Sequence, residues 1–130
     1  MKALFKPGDQ KYYKHIVTSA DFAAFHGEVV HPVCATFVLA RDIEWTTRQF
    51  VLEMCEDDEE GIGTFLNVQH VSPAREGEEI IFKGTVEELK GNELICMVEA
   101  SVHGRIVATG RTGQKILKRE KLKKLYKDHE

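Results

Sequence analysis

The order of one long helix-forming run and four extended segments constrains this chain more than any other feature. Residues 36–55 contain neither glycine nor proline and are long enough to form the main helix. Four stretches rich in β-branched residues follow, separated by short turns: GIGTFLNVQHVSPA, EEIIFKGTVEEL, NELICMVEASVH and RIVATGRTGQKILK. Such short connections predict antiparallel neighbours along the chain, including the first pair, which residues 73–78 join.

Three further segments complete the order of elements. Tyr12 to Thr18 is rich in aromatic and β-branched residues and predicts a short strand. The stretch SADFAAFHGEVVH is predicted to be irregular or a short helical turn. A narrow apolar edge in the last residues predicts a basic terminal helix over about 119–128. The whole indicates an α+β fold in which an antiparallel sheet curls around one long central helix.

The main helix carries a polar stripe that is predicted to face solvent. At about 100° per residue, one stripe holds Asp42, Thr46, Gln49 and Glu53. Nearly all the other side chains of the run are apolar, so the rest of the helix is expected to be enclosed by protein. Glu44 stands apart from the stripe, on the apolar side of the helix.

Composition bounds the class of protein. At 130 residues and 14.8 kDa, with 42% hydrophobic and 30% charged residues, the chain is expected to fold as one domain over residues 1–130. No apolar run approaches the roughly 20 residues of a membrane span, and no signal segment is recognised, so we expect a cytoplasmic protein without a membrane partner. The net charge of −3 does not suggest a nucleic-acid partner.

Cysteine, histidine and charge patterns add further expectations. Cys34, Cys55 and Cys96 lie among apolar neighbours rather than in pairs, which predicts buried thiols and neither disulfides nor a zinc site. The histidines show no metal-ligand spacing, so no metal is expected. The acidic run over 56–60 and the basic C-terminal end are either solvated surfaces or, for the basic end, an attraction for the phosphates of a nucleotide-bearing substrate.

Three short pieces of sequence carry a family resemblance: Cys34-Ala35-Thr36, Ile43-Glu44-Trp45, and Gly63-Thr64 followed by Gln69-His70. In order and spacing they resemble the fluoroacetyl-CoA thioesterase-like branch of the hotdog thioesterases, over about Phe5 to Leu125. The resemblance implies a hotdog fold and hydrolysis of an acyl-CoA thioester without a cofactor. It also implies roles for particular residues, with Thr36, Glu44 and His70 as catalytic residues and Phe37, Val38, Gly63 and Thr64 as substrate-binding residues.

Each candidate catalytic residue also has an ordinary structural interpretation. Glu44 can pair with Arg48 or Arg41 along the helix edge instead of serving in proton transfer or nucleophilic attack. By strand alternation His70 points towards the helix, where a histidine is often a hydrogen-bonded core residue. Thr36 is placed like a helix N-cap. In a straight helix Thr36 and Glu44 lie about 12 Å apart, so either the helix begins after Thr36 or a dimer interface completes the site.

The resemblance leaves the substrate and the assembly open. Gly27 and Val30 stand where the fluoroacetyl-specific member has aromatic residues, which favours a general short or medium acyl-CoA. A homodimer, possibly a tetramer, is expected because a curled sheet leaves an open edge. The alternative function is a non-enzymatic acyl-CoA or acyl-ligand binding module. A hydratase is disfavoured because the nearest suitable Asp and His, Asp21 and His26, precede the helix in an irregular segment.

Overall fold

A computed structural model describes residues 1–128, which form seven strands and two α-helices. The elements follow in the order β1 (Gln10–Ile16), a 3-10 turn (Ser19–Asp21), β2 (Phe22–Phe25), β3 (Glu28–Cys34), α1 (Thr36–Met54), β4 (Glu59–His70), β5 (Glu79–Lys90), β6 (Glu93–Val102), β7 (Arg105–Lys118) and α2 (Arg119–Asp128). Helix α1 lies against all five strands of the larger sheet. The predicted arrangement of one antiparallel sheet around one long helix is therefore present.

The strand order departs from the prediction at one place. The five-stranded sheet has the order β1-β5-β6-β7-β4, with every neighbouring pair antiparallel. The predicted pairing of β4 with β5 is wrong, because β4 pairs with β7 at the far edge. Residues 71–78 instead pass the end of the β6–β7 hairpin, where the Val71 and Ser72 N–H groups both donate to Val107 O. Short connections predicted the β5–β6 and β6–β7 hairpins correctly, but β4 became an edge strand.

The prediction for the faces of α1 is also wrong. The N-terminal half of the stripe that was expected to meet solvent packs towards β1 and β5, with Asp42 only 3% exposed and Thr46 fully buried, whereas Glu53 at the other end of the stripe is exposed as predicted. The flank turned away from the sheet carries large apolar side chains instead, and Phe37 is 78% exposed. Polar residues occupy the packed face because partners exist there: Thr46 Oγ1 donates to Asp42 O, and Lys11 of β1 forms an ion pair with Glu53.

The core beneath α1 is split into two apolar clusters. One lies under the N-terminal half of the helix around Leu39, Ile43 and Phe82, and the other under the C-terminal half around Phe50 and Met54. A buried polar group centred on Thr47 lies on the same packed face of the helix. Its hydroxyl accepts hydrogen bonds from Thr112 Oγ1 and Gln114 Nε2, both at 2.9 Å. The packing fixes the rotation of α1, and thereby sets where Glu44 points.

The segment before α1 is more ordered than predicted. Residues 19–31 were expected to be irregular or a short helical turn, but after the 3-10 turn they form most of the β2–β3 hairpin. Its tip residues His26 and Gly27 both have positive φ, at 54° and 83°. Two such residues make the tight turn that suits the twist of a hairpin. The hairpin ends at Cys34, whose N–H donates to Ala74 O at 2.8 Å.

The acidic run and the basic end meet in the structure. Lys118 Nζ lies 2.9 Å from Asp58 Oδ2, and Arg119 Nε lies 3.0 Å from Glu60 Oε1. These exposed ion pairs join the start of β4 to the start of α2. Helix α2 is found where a basic terminal helix was predicted, and within it Leu122 is buried.

Candidate active site

Thr36 and His70 meet at one end of the sheet. Thr36 is the first residue of α1, and His70 is the last residue of the edge strand β4. Thr36 Oγ1 lies 2.8 Å from His70 Nδ1, a hydrogen-bond distance. His70 therefore turns towards the helix, as strand alternation predicted. Both side chains are exposed in the single chain, so His70 is not a core residue.

The surroundings of His70 define which ring nitrogen carries the proton. His70 Nε2 lies 3.1 Å from the carbonyl oxygen of Ser72, which can only accept a hydrogen bond. In the neutral ring, Nε2–H therefore donates to Ser72 O, and Nδ1 is left to accept the hydroxyl hydrogen of Thr36. This is the arrangement of a base next to a hydroxyl group. Ser72 is itself held, since its Oγ donates to Ile106 O at 2.8 Å.

Glu44 lies further along the same helix, over the middle of β4. A Cβ placed on Gly63 would stand 2.9 Å from Glu44 Oε1, so the carboxylate rests directly on the glycine backbone. An open pocket of about 270 Å³ is lined by Glu44, Gly63, Thr64, Phe65 and Leu66. The absence of a side chain at Gly63 gives the carboxylate its place. Sequence reasoning named both residues without predicting this contact.

The helix-edge ion pair considered for Glu44 is not formed within residues 1–128. Arg41 Nε donates to Asp42 Oδ1 at 3.1 Å, and Arg48 Nη1 donates to Gly61 O at 3.3 Å. Neither arginine reaches Glu44, and its carboxylate has no hydrogen-bond or ion-pair partner in this part of the chain. A partly exposed carboxylate without a partner is available to a ligand.

Thr36 and Glu44 are separated along the helix in one chain. Both belong to the continuous helix α1, so their backbones lie about 12 Å apart along its axis. Of the two explanations offered by the sequence, a helix that begins after Thr36 is excluded. One chain thus holds two partial sites, the Thr36–His70 pair and the Glu44–Gly63 pocket.

The start of α1 leaves backbone donors free. The preceding residue, Ala35, has no side chain that caps the helix, and Thr36 is therefore not the N-cap that was considered. The N–H of Val38 donates to Ala35 O at 3.0 Å. The N–H groups of Thr36 and Phe37 have no acceptor among residues 1–128. Unpaired N–H groups at a helix start are suited to an oxyanion.

A cavity of about 700 Å³ opens beside Thr36, between the hairpin and the helix start. Its wall is mostly apolar, and it includes Phe22, Ala24, Phe25, Val30, Phe37 and Val38. Phe37 and Val38 are thus placed together beside Thr36, while Gly63 and Thr64 lie in the other partial site with Glu44. The Thr64 hydroxyl is engaged by Glu93 Oε2 at 2.5 Å. Aromatic side chains do line the cavity from β2, even though the two positions noted in the sequence, Gly27 and Val30, are not aromatic.

Nearby groups are unsuited to act as a nucleophile or a metal site. Burial raises the pKa of the Cys34 thiol to about 12, with a further contribution from the Asp21 charge, so Cys34 stays protonated at neutral pH. Cys34 and Cys96 are buried as predicted, whereas Cys55 is only partly buried. Within the described range of 1–128, no three Cys, His, Asp or Glu side chains converge as metal ligands. No helix of the same range is long and apolar enough to cross a membrane.

Sequence reasoning missed several polar residues around the site. Ser72 was not considered, although a serine two residues after a candidate histidine was a usable signal. A cluster of His15, Asp21 and Asp42 behind the helix was also missed. Asp21 was weighed only with His26, but its carboxylate contacts His15 at 2.7 Å. The signal for Asp42 was hidden because a polar helix stripe normally indicates solvent.

Comparison with known proteins gives a consistent result. A family profile described as fluoroacetyl-CoA-specific thioesterase matches residues 17–120. A Thermus thermophilus hypothetical protein, described as a thioesterase superfamily member, is 29% identical with a TM-score of 0.91, over 97% of this chain and 93% of that chain. A mutant of the fluoroacetyl-CoA-specific thioesterase FlK is 16% identical with a TM-score of 0.87, over 99% and 100% of the two chains. A mutant of the same enzyme in complex with fluoroacetate and CoA is 18% identical with a TM-score of 0.82, over 91% and 99%. No curated protein matches the sequence.

Proposed function

Because the chain belongs to the fluoroacetyl-CoA-specific thioesterase family, we propose that it hydrolyses short or medium acyl-CoA thioesters with Glu44, Thr36 and His70 at the reacting centre. The family match spans most of the chain, and the predicted hotdog fold and thioester hydrolase activity are confirmed. The binding-module alternative is not retained, since the family is one of thioesterases. The identity of the acyl group and the roles of the three residues are our proposal.

The observation that carries the proposal is the hydrogen bond between Thr36 and His70 beside an apolar cavity. The cavity of about 700 Å³ can receive an acyl chain with its thioester at Thr36. The unpaired N–H groups of Thr36 and Phe37 then lie near the carbonyl oxygen. The Thr36 hydroxyl hydrogen, which His70 Nδ1 accepts in the free site, can turn towards the carbonyl oxygen and add a third donor. These donors stabilise the negative charge that develops on the carbonyl oxygen.

Glu44 supplies the base or the nucleophile. In the first route its carboxylate attacks the carbonyl carbon, the carbon–sulfur bond breaks to leave an acyl anhydride of Glu44, and water cleaves the anhydride to the acid, with one water proton passing to the thiolate. Alternatively, the carboxylate takes a proton from a water molecule that attacks the carbonyl carbon. In the second route the water oxygen bonds to the acyl carbon, the carbon–sulfur bond breaks, and the proton passes from Glu44 to the departing thiolate. The products are the free acid and CoA. No cofactor enters these steps.

The site is completed by a second copy of the chain. Within residues 1–128, strand β4 pairs with β7 on one side only, and its other edge is open over 12 residues. An open edge of this length is suited to pairing with a second copy, and two-fold symmetry makes that pairing antiparallel. If the two-fold axis lies between Leu66 and Asn67, His70 stands opposite the partner subunit's Gly63. Glu44 rests on Gly63 in its own chain, so the partner subunit's Glu44 comes next to Thr36 and His70.

The experiment that tests the substrate is a panel of acyl-CoA thioesters of increasing chain length, monitored by release of free thiol. We expect the highest kcat/KM with short or medium acyl groups and a fall once the chain outgrows the cavity. Equal turnover at every length would contradict the assignment of the cavity. Absence of turnover with every acyl-CoA would reject the function itself.

Mixing two inactive variants tests the shared site. In a heterodimer of Glu44→Gln and Thr36→Val chains, one site keeps Thr36 and His70 of one chain and Glu44 of the other, while the second site has lost both. Random mixing in equal amounts is expected to restore about a quarter of wild-type turnover. No restoration, with heterodimers demonstrated by mass spectrometry, would place all three residues of a site in one chain.

A further inference from the structure

A second polar cluster joins three elements on the flank of α1 that faces β1. The imidazole of His15, on β1, lies between two buried carboxylates. Its Nε2 is 2.7 Å from Asp21 Oδ2, on the 3-10 turn, and its Nδ1 is 3.5 Å from Asp42 Oδ2, on α1. We refer to His15, Asp21 and Asp42 as the histidine bridge. It links the strand, the turn and the helix through one side chain.

The charges of the bridge are matched by their surroundings. Asp21 Oδ2 also accepts the Thr18 N–H at 2.9 Å, and Asp42 accepts Arg41 Nε at 3.1 Å. Burial raises the pKa of Asp21, but the Thr18 N–H and His15 together outweigh that effect and hold the pKa below its usual value. The Nε2–Asp21 contact is a hydrogen bond, and the longer Nδ1–Asp42 distance of 3.5 Å is a weaker polar contact made by the other ring nitrogen.

The bridge is connected to the start of α1 at two points. The main-chain oxygen of Asp21 accepts the N–H of Ala35 at 2.8 Å, immediately before Thr36. Asp42 holds the same helix between one and two turns further along. The Asp21 contact therefore anchors the N-cap residue, while the N–H groups of Thr36 and Phe37 stay free within residues 1–128. Asp21, Thr36 and Arg41 also line the same cavity.

We propose that the histidine bridge positions the Thr36 hydroxyl against His70 and the thioester, so that His15, Asp21 and Asp42 are positioning residues of the reaction. This inference rests on the proposed function. None of the three side chains reaches the Thr36–His70 pair; they act by fixing the first turns of α1 and the wall of the cavity. A displacement of about 1 Å in a reacting group can lower a rate by roughly 10²-fold. Loosening the bridge therefore reduces turnover more than it reduces binding of the CoA part of the substrate.

The chain offers a matched control for this test. Lys11 and Glu53 form an ion pair that also joins β1 to α1, but near the C-terminal end of the helix. Asp21→Asn and His15→Gln weaken the bridge, and Glu53→Gln removes the control pair. We expect kcat to fall about tenfold or more in the two bridge variants, with KM changed less than about threefold. Glu53→Gln is expected to keep the kcat of the wild type. If the kcat values of Asp21→Asn and His15→Gln both lie within twofold of the kcat of Glu53→Gln, the proposal is overturned.

Amide hydrogen exchange on the full-length protein tests the bridge separately from the activity. The N–H of Ala35 donates to Asp21 O, whereas the N–H of the adjacent Cys34 donates to Ala74 O and serves as the internal reference. Exchange at Ala35 is expected to accelerate at least tenfold relative to Cys34 in Asp21→Asn. His15→Gln, which keeps an N–H donor for Asp21, provides a milder variant if Asp21→Asn does not fold. An unchanged ratio would overturn the bridge. If the wild type hydrolyses no acyl-CoA but the ratio of Ala35 to Cys34 exchange still changes in Asp21→Asn, the proposed function is rejected. The bridge then has no role in catalysis.

Discussion

Asp42 and Glu44 lie two residues apart on α1 and hold their carboxylates on opposite flanks of the helix. Asp42 is 3% exposed, faces β1, and is contacted by His15 and Arg41. Glu44 is partly exposed, faces β4, and has no ion-pair partner within residues 1–128. A buried carboxylate requires partners, because unpaired charge is costly to remove from water. A carboxylate at an open edge has no such requirement and can meet a ligand or a second chain.

The two flanks of α1 therefore have different roles, one in holding the helix in the fold and the other in the reaction. On the β1 flank, the bonds of Asp42 are satisfied before any substrate arrives, so its contribution is to fix the helix. On the β4 flank, Glu44 rests on a glycine and has unused acceptor capacity, which matches a residue that accepts a proton or attacks a carbonyl carbon. Exchanging each carboxylate for its amide should therefore give opposite outcomes in activity and stability.

The largest effect is expected from Glu44→Gln. The amide keeps the shape of the side chain but neither accepts a proton nor attacks the thioester, so kcat should fall roughly 10³-fold with little change in substrate binding. The free energy of unfolding should change by less than about 1 kcal/mol, since no ion pair is lost. Steady-state kinetics and urea denaturation measure the two quantities. Wild-type kcat in a folded variant would remove Glu44 from the reaction.

Substituting either Thr36 or His70 should lower kcat, because the two side chains form one hydrogen-bonded pair. His70→Ala removes the acceptor of the Thr36 hydroxyl and should lower kcat by about 10²-fold or more. The double variant His70→Ala/Glu44→Gln should have a kcat only slightly below that of the less active single variant, because the effects of residues that act together are not additive. Thr36→Ser, which keeps a hydroxyl, should retain more activity than Thr36→Val. Equal kcat values for Thr36→Ser and Thr36→Val would show that the hydroxyl is not used.

Asp42→Asn should lower the stability more than the activity, which is the opposite of the result expected for Glu44→Gln. The change removes a buried charge that contacts His15 and Arg41, and because Arg41 is exposed and His15 keeps Asp21, we expect a loss of about 2 kcal/mol in the free energy of unfolding. Turnover per folded molecule should fall less than in Glu44→Gln. The measurement is urea denaturation of both variants under identical conditions. A smaller loss of stability in Asp42→Asn than in Glu44→Gln would break the contrast between the two flanks.

Local pattern predicted much of the fold because each signal depended on neighbouring residues. The absence of glycine and proline indicated α1 over 36–55, and it ends at Met54. Short turns indicated the β5–β6 and β6–β7 hairpins. The pairing of β4 depends on a contact between residues far apart in sequence, which turn length cannot reveal. The β2–β3 hairpin was missed because its strands are short, exposed and irregular in register.

The site was predicted unevenly for a related reason. Resemblance supplied Thr36, Glu44 and His70, and their hydrogen bonds and separation required the fold. Burial of Asp42 could not be read from the helix wheel, because its partner His15 is 27 positions away in the sequence. A buried polar group looks like a solvated one until the opposite strand is known. The residues that hold α1 in place were therefore invisible to periodicity alone.

The smallest expected effect is the change in the free energy of unfolding at acid pH that arises from Asp21 on the β1 flank. The folded-state pKa of Asp21 lies below its usual value of 3.8, so its ionised form stabilises the folded protein. This contribution is fully present above the unfolded pKa and is lost as pH falls through the lower folded pKa. The free energy of unfolding of the wild type should therefore exceed that of Asp21→Asn at neutral pH, and the gap should narrow below about pH 4. Urea denaturation of both proteins between pH 7 and pH 3 measures the gap, with Glu53→Gln as the exposed control. A gap that stays constant over this range would mean that the charge of Asp21 does not stabilise the fold, and that the β1 flank holds α1 by packing alone.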